Sequence, residues 1–104
     1  MTDRERLPNR RASTNFEFEL QGFHYTGSYS QFRDGRPAEI FLQNHKAGSQ
    51  SDANARESAI AASIALQYGA PLKVLRKAVL RNADGSASTP LGKALDLIAE
   101  EPMS

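Results

Sequence analysis

The chain has 104 residues, of which 39% are hydrophobic and 24% charged, values typical of a folded protein and not of a disordered one. Lysine and arginine number 13 against 12 aspartate and glutamate, so a net charge of +1 does not by itself indicate a polyanionic partner. The absence of cysteine excludes disulfides, thiolate metal sites and iron–sulfur roles. This length predicts one domain with a modest core, too small for a catalytic barrel.

The N-terminal residues 1–13 are rich in arginine and poor in apolar side chains, which predicts a basic lead-in. We expect a single domain over residues 14–101, followed by a short tail over 102–104. No apolar run approaches the roughly 20 residues of a membrane span, and the first residues lack the apolar centre of a signal peptide. The expected location is the cytoplasm, without a membrane partner.

Apolar and acidic side chains alternate over residues 16–20, which is typical of a half-buried strand. A two-residue loop over 21–22 then predicts a hairpin in which Phe16 faces Gly27. Because Gly27 has no side chain, it leaves room for a large neighbour at this position.

Asp34 and Gly35 predict a second hairpin, since glycine supplies the positive φ that a type I′ turn needs. The pairs that follow from this turn are Gln31 with Ala38, Tyr29 with Ile40, and Gly27 with Leu42. The two hairpins place the same apolar side chains on one face, namely Phe16, Phe18, Leu20, Phe23, Tyr25, Tyr29, Ala38, Ile40 and Leu42. Their agreement predicts a three-stranded antiparallel meander.

Ser49 and Asp52 have the spacing of a capping box, which predicts a helix that starts near them and ends at Gly69. The predicted apolar stripe of this helix is Ala53, Ile60, Ile64 and Tyr68, and flanking alanines allow close packing on the sheet. A second helix is predicted to start at Pro71 and a third at Thr89, separated by a loop over 82–88. Their predicted apolar positions are Leu72, Leu75, Ala78 and Val79, then Leu91, Leu95 and Ile98. The expected fold is α+β, with a three-stranded antiparallel β-meander followed by two to three helices packed on one face.

Several short motifs occur in the order found in a known domain family. They are Leu7-Pro8-Asn9-Arg10-Arg11, Asp34-Gly35, Glu39-Ile40-Phe41, Gly48-Ser49, Ala65-Leu66-Gln67-Tyr68-Gly69 and Pro90-Leu91-Gly92. With these motifs the chain resembles the TSCPD domain, the C-terminal domain of adenosylcobalamin-dependent (class II) ribonucleotide reductases, which also occurs as small stand-alone proteins. The resemblance implies a stand-alone module with a role in deoxyribonucleotide synthesis, and it implies adenosylcobalamin only for the related full-length reductases.

The five-residue motif that names this family is altered in the chain. Where the family has Thr-Ser-Cys-Pro-Asp, the sequence reads Ala87-Ser88-Thr89-Pro90-Leu91. Ribonucleotide reduction in the family runs through cysteine thiyl and dithiol chemistry, for which this chain has no residue. The resemblance therefore implies an accessory or regulatory module without catalytic residues, acting by binding a reductase subunit or a nucleotide.

Two candidate binding sites follow from the residues themselves. The loop that contains Lys46, Gly48 and Ser49 precedes a helix start, where a lysine and free amides favour a phosphate; a glycine turn with a capping serine is the alternative. The second candidate is a basic face, for which nucleic-acid binding and a solvated helix surface are the alternatives. Its residues are Arg10, Arg11, Arg33, Arg36, Lys73, Arg76, Lys77 and Arg81.

His24 and His45 are predicted to lie in different elements without an acid-rich cluster, so we predict neither a metal site nor a cofactor bound by the chain. Phe32 and Phe41 fall on the sheet face opposite the core, where the N-terminal segment or a partner subunit would cover them. A homo-oligomeric structural protein is thus a third hypothesis, beside the reductase-like module and a nucleic-acid-binding module.

Overall fold

A computed structural model of the chain describes residues 3–9 and 12–100 as one antiparallel sheet followed by helices. The strands are β1 (Ser13–Leu20), β2 (Phe23–Gln31) and β3 (Pro37–Asn44), in the spatial order β1-β2-β3. The helices are α1 (Gln50–Gln67), α2 (Leu72–Ala78) and α3 (Pro90–Glu100). The predicted α+β fold with a three-stranded meander is confirmed. Within the described ranges, no helix combines the length and the apolar character needed to cross a bilayer.

The first hairpin has the predicted two-residue turn. Gln21 and Gly22 adopt φ angles of 53° and 84°, as a type I′ turn requires. This turn sets the predicted register, in which Phe16 lies opposite Gly27. A Cβ atom at Gly27 would lie 2.4 Å from the Phe16 ring, so the missing side chain leaves room for that ring.

The second hairpin has a different turn from the one predicted. Gly35 has a φ of 93°, but Asp34 does not have the positive φ that a type I′ turn also requires. The loop instead spans three residues and is closed by a hydrogen bond from Phe32 N–H to Arg36 O at 2.8 Å. The Asp34 carboxylate accepts hydrogen bonds from Arg36 N–H at 3.1 Å and from Arg36 Nε at 2.7 Å, which stabilises this longer loop.

The longer loop changes the strand pairing next to it. Gln31 pairs with Pro37, so the predicted pairing of Gln31 with Ala38 is wrong. A β-bulge next to Ser30 absorbs the extra residue. Beyond the bulge the predicted pairs of Tyr29 with Ile40 and Gly27 with Leu42 are confirmed.

Helix α1 runs alongside β3 in the opposite direction and covers the free edge of the sheet. Its buried polar side chains form hydrogen bonds with backbone groups of β3, which have no partner strand on this side of the sheet. The bonds join Asp52 Oδ1 to Asn44 N–H at 3.0 Å, Ser63 Oγ to Ile40 N–H at 2.8 Å, and Gln67 Nε2 to Ala38 O at 2.9 Å. The helix is therefore held to the sheet by hydrogen bonds as well as by apolar packing.

The predicted apolar stripe of α1 faces outward, so this prediction is wrong. Ile60, Ile64 and Tyr68 are 58%, 41% and 46% exposed, and Ala53 is exposed as well. The buried apolar residues of α1 are Ala55, Ala59, Ala62 and Leu66. Small side chains lie inward because the hydrogen bonds to β3 require the helix axis to lie close to the strand.

The predicted helix ends are confirmed, with one change. Ser49 Oγ accepts a hydrogen bond from Asp52 N–H at 3.0 Å, but the Asp52 carboxylate bonds Asn44 and does not complete the capping box. At the other end Gly69 has a φ of 103°, and Ala70 N–H donates to Ala65 O at 3.0 Å. These are features of a Schellman motif.

Helices α2 and α3 complete the core on the same face of the sheet. Helix α2 follows Pro71 as predicted, although Ala78 is exposed and not apolar core. In α3 the Thr89 hydroxyl accepts a hydrogen bond from Gly92 N–H at 3.1 Å, which confirms the predicted start. The buried core consists of Phe18, Tyr25, Tyr29, Ile40, Leu42, Ala55, Ala59, Ala62, Leu66, Ala94, Leu95 and Ile98.

Candidate binding surfaces

The loop before α1, predicted as an anion site, is closed by its own hydrogen bonds. Ser49 Oγ donates to Lys46 O at 2.8 Å and accepts from Asp52 N–H, so its hydroxyl serves the loop and the helix cap. Gly48 adopts a φ of 78°, as a turn glycine does, and the Lys46 side chain is exposed. The buried Asp52 carboxylate lies in the first turn, where it competes with an incoming anion for the positive helix end. Anion binding at Lys46, Gly48 and Ser49 stays a prediction.

Acidic partners neutralise part of the predicted basic face. Asp96 of α3 bonds Arg76 Nε at 3.0 Å and Arg81 through both carboxylate oxygens at 2.8 Å. Lys73 and Lys77 are exposed on α2, while Arg81 lies beyond the end of this helix. The predicted residues therefore do not form one continuous helix face.

The remaining predicted basic residues lie on other parts of the chain. Arg36 bonds both Asp34 and Glu5, and Arg33 is exposed in the second hairpin loop. Arg10 and Arg11 lie outside the described residues. The nucleic-acid interface stays a prediction.

The ion pairs of Asp96 predict a pH-dependent contribution to stability. Hydrogen bonds from Arg81, and then from Arg76, lower the pKa of Asp96 from 3.8 to about 2. A lowered folded-state pKa means that this stabilisation is present above pH 4 and is lost as the pH falls towards 2. We expect Asp96→Asn to lower the free energy of unfolding by about 1 to 2 kcal/mol at pH 7.

Urea titrations of both proteins at pH 7 and pH 2.5 measure this difference. Glu100→Gln, which removes an exposed acid from the same helix, is the control and should change stability little at either pH. A deficit of Asp96→Asn that is equally large at pH 2.5 would show that the carboxylate charge is not its cause.

The N-terminal segment, described over residues 3–9, lies at the second-hairpin end of the outer sheet face, the face opposite the core. Glu5 N–H donates to Gln67 O at 2.7 Å, the Glu5 carboxylate accepts from Arg36 at 3.0 Å, and Arg4 donates to the Gln67 side chain. The Arg36 guanidinium lies 4.7 Å from the centre of the Phe32 ring, and Phe32 is only 5% exposed. The prediction that Phe32 is covered is confirmed, with the N-terminal segment beside it.

An apolar surface remains exposed beside this segment. It consists of Phe41, Ile60, Ile64 and Tyr68, and we call it the outer apolar surface. Phe41 projects from β3 and is 57% exposed, so the prediction that it is covered is not met within the described chain. Phe41 and Ile60 line the same groove, which has a volume of about 400 Å³.

Two histidines and an acid meet at the other end of the outer face. His24 Nε2 lies 3.0 Å from Glu17 Oε1, and the ring centres of His24 and His45 are 4.2 Å apart. The hydrogen bond with Glu17 raises the pKa of His24 and lowers the pKa of Glu17. The sequence analysis predicted that these histidines lie in different elements and form no cluster. The predicted pairing of the second and third strands, if it is extended beyond Leu42, does place His45 opposite His24.

Known proteins similar to the chain include three vitamin B12-dependent ribonucleotide reductases. The enzyme of Agrobacterium fabrum is 41% identical over 71 residues, or 68% of this chain, and that of Rhodopirellula baltica is 39% identical over 72 residues, or 69%. The enzyme of Bradyrhizobium diazoefficiens is 36% identical over 72 residues, also 69%. The chain is related to the vitamin B12-dependent ribonucleotide reductases. This relationship confirms the predicted resemblance.

The matched region is a small part of these reductases, amounting to 6% or 7% of their length. No family model matches the chain. No solved structure matches it significantly. The relationship therefore concerns one segment of the reductases and does not by itself transfer their activity to the chain.

At the altered reductase motif, the structure gives Thr89 a local role. The resemblance predicts a cysteine at the position of Thr89, and in the structure the Thr89 hydroxyl caps α3. Ala87 is buried, and Pro90 is the first residue of α3. This segment starts a helix but carries no thiol for radical or dithiol chemistry.

The names of the related reductases imply cobalamin, which is larger than four of the grooves that the described residues line. These four grooves have volumes of about 360 to 540 Å³, which is the range for drug-sized ligands. A corrin with its nucleotide tail is much larger than such a ligand.

Proposed function

We propose that the chain is an accessory, non-catalytic module of a vitamin B12-dependent ribonucleotide reductase and binds the reductase polypeptide through its outer apolar surface. It would act in the cytoplasm, in deoxyribonucleotide synthesis. The similarity to one segment of these reductases carries the proposal. The absence of cysteine supports a role without catalysis.

The outer apolar surface supports binding to a protein. Ile60 and Ile64 of α1 and the C-cap residue Tyr68 follow one another at helical spacing, and Phe41 lines a groove with Ile60. A row of large apolar side chains that stays exposed, while the inward side of the same helix is mostly alanine, is typical of a surface that a partner covers. Large aromatic and aliphatic side chains of this kind supply most of the binding energy in protein interfaces.

The related reductases indicate which partner would cover this surface. In them the matched segment is 6% or 7% of one long polypeptide, so most of the polypeptide lies outside it. A surface that packs against the remainder of that polypeptide would be exposed when the segment is seen alone. We therefore infer that the occupant is the body of the reductase and not a second copy of the chain.

Binding to a reductase that lacks its own copy of the segment tests this proposal. The purified chain is titrated into Agrobacterium fabrum reductase from which the matched residues have been deleted. We expect saturable binding that Ile60→Glu weakens at least tenfold, since a charge would have to be buried in an apolar interface. Val74→Glu is the matched control, because Val74 is 50% exposed on α2 and lies outside the outer apolar surface.

The possible outcomes separate the proposal from its alternatives. Equal binding by wild type and Ile60→Glu would overturn the role of the outer apolar surface. A wild-type dimer in analytical ultracentrifugation that Ile60→Glu converts to a monomer would instead favour the homo-oligomeric hypothesis. Binding of DNA or RNA with a steep salt dependence would favour the nucleic-acid hypothesis.

A further inference from the structure

The cluster at the end of the outer sheet face has the donor set of a metal site. Glu17 lies on β1, His24 on β2 and His45 directly after β3, so each sheet strand places one donor there. One ligand atom from each of the three residues lies within 4.8 Å of the others. Two imidazoles and a carboxylate form the protein ligand set found in one class of zinc sites.

Hydrogen bonds in the sheet hold the two histidines next to each other. His45 N–H donates to His24 O at 2.9 Å, which extends the pairing of β2 with β3 beyond the end of β3. The two rings therefore project from neighbouring strands on the same face, with their centres 4.2 Å apart. On the other side, Glu19 is the direct strand neighbour of His24, and Glu17 lies two residues away from it.

Each histidine also has a polar neighbour at the ring nitrogen that would not bind the metal. Glu19 Oε1 lies 3.7 Å from His24 Nδ1, on the opposite side of the ring from Glu17, which lies 3.0 Å from Nε2. Thr26 Oγ1 lies 2.6 Å from His45 Nε2. The other ring nitrogen of His45, Nδ1, is therefore the one that could bind a metal ion. Metal-binding histidines usually have such a partner, which fixes the tautomer and the ring orientation.

We propose that Glu17, His24 and His45 form a binding site for a single divalent transition-metal ion of the zinc type. The ligand atoms are a Glu17 carboxylate oxygen, Nε2 of His24 and Nδ1 of His45, while Glu19 and Thr26 orient the two rings. Three protein ligands leave one position of a tetrahedral ion for water or a ligand from a partner. Imidazole and carboxylate donors together favour zinc over magnesium or calcium, which prefer oxygen ligands alone.

Calorimetric titration of the metal-free chain with zinc chloride tests the site. We expect one ion per chain and at least a tenfold weaker affinity in both His24→Ala and His45→Ala. Glu19→Gln should give a smaller loss, because Glu19 only orients His24. Gln43→Ala, which changes another exposed side chain on the same sheet face, should bind zinc like the wild type.

Thermal unfolding provides a second readout that does not depend on heats of binding. Zinc should raise the unfolding temperature of the wild type, and it should not do so in His45→Ala. The substituted side chains are exposed or half-buried, so the variants are expected to keep the fold, which circular dichroism would verify. Failure of the wild type to bind zinc, or equal zinc affinity in His45→Ala, would overturn the proposal.

Discussion

Replacing Leu95 by alanine is expected to lower the free energy of unfolding by about 2 to 5 kcal/mol, the range for emptying a fully buried leucine position. Leu95 is completely buried in the middle of α3, where it belongs to the core cluster that also contains Tyr29 and Ile40. This cluster contains residues of the sheet, α1 and α3, and the packed elements around a deleted side chain relax only partially into the space that it leaves. The loss therefore combines the transfer energy of the deleted atoms with the cost of a cavity.

Urea denaturation measures this loss, with Leu80→Ala as the control. Leu80 is 72% exposed, so the same substitution there should change the stability by no more than about 0.5 kcal/mol. Domains of this size are stable by only about 5 to 15 kcal/mol, so Leu95→Ala could prevent folding. Leu95→Val removes fewer atoms and serves as the milder variant in that case. A loss below about 1 kcal/mol for Leu95→Ala would contradict the described packing of α3.

The second large effect is expected for Ser63→Ala, which removes a hydrogen-bonding group between α1 and β3. Ser63 Oγ accepts from Ile40 N–H at 2.8 Å, and it also lies 3.1 Å from Ile40 O and 2.8 Å from Ala59 O. Alanine would leave the buried N–H of Ile40 without a partner, at a cost of about 1 to 3 kcal/mol. The better helix propensity of alanine would offset about 0.5 kcal/mol of that cost.

Ser58→Ala is the matched control for this prediction, because it makes the same substitution in the same helix. Among the described residues, the Ser58 hydroxyl bonds only Ala55 O of its own helix, at 2.9 Å, so the substitution should be neutral or slightly stabilising. Hydrogen exchange at Ile40 N–H provides a local readout, with faster exchange expected in Ser63→Ala only. Equal stability of the two variants would show that the side chains of α1 do not hold the sheet edge.

The sequence predicted the sheet well where local chemistry determines the backbone. Gln21 and Gly22 formed the predicted two-residue turn, and the apolar alternation before it fixed which face is buried. The turn at Asp34 was mispredicted because the side chain of this residue bonds Arg36, an interaction that the dipeptide pattern does not reveal. The bulge beside Ser30 then restored the predicted pairing, so the error stayed local.

The orientation of α1 was mispredicted for a different physical reason. Large apolar residues such as Ile60 and Ile64 were assigned to the core because they recur at helical spacing. In the structure the helix lies close enough to β3 for Ser63 and Gln67 to bond its backbone, and most of the other inward positions are alanines. Apolar periodicity alone could not predict this close approach, because it depends on hydrogen bonds from polar side chains that an apolar pattern does not include.

The two histidines show that strand register contains information about sites as well as about the core. Both hairpins were registered to predict which side chains are buried, yet the same pairing also places His24 between Glu19 and His45.

The prediction of the basic face depended on a different assumption, that cations at helical spacing have no acidic partner. Asp96 of α3 pairs with Arg76 and Arg81, and this contact between distant parts of the chain could not be predicted from the spacing of the cations.

The most direct test of the proposed reductase module is a calorimetric titration of the wild-type chain into Agrobacterium fabrum reductase that lacks its matched segment. The purified chain without the reductase should show no cobalamin-dependent ribonucleotide reduction, because it has no cysteine. We predict a saturable heat of binding with one chain per reductase polypeptide. Absence of any saturable binding, or ribonucleotide reduction by the chain alone, would contradict the account.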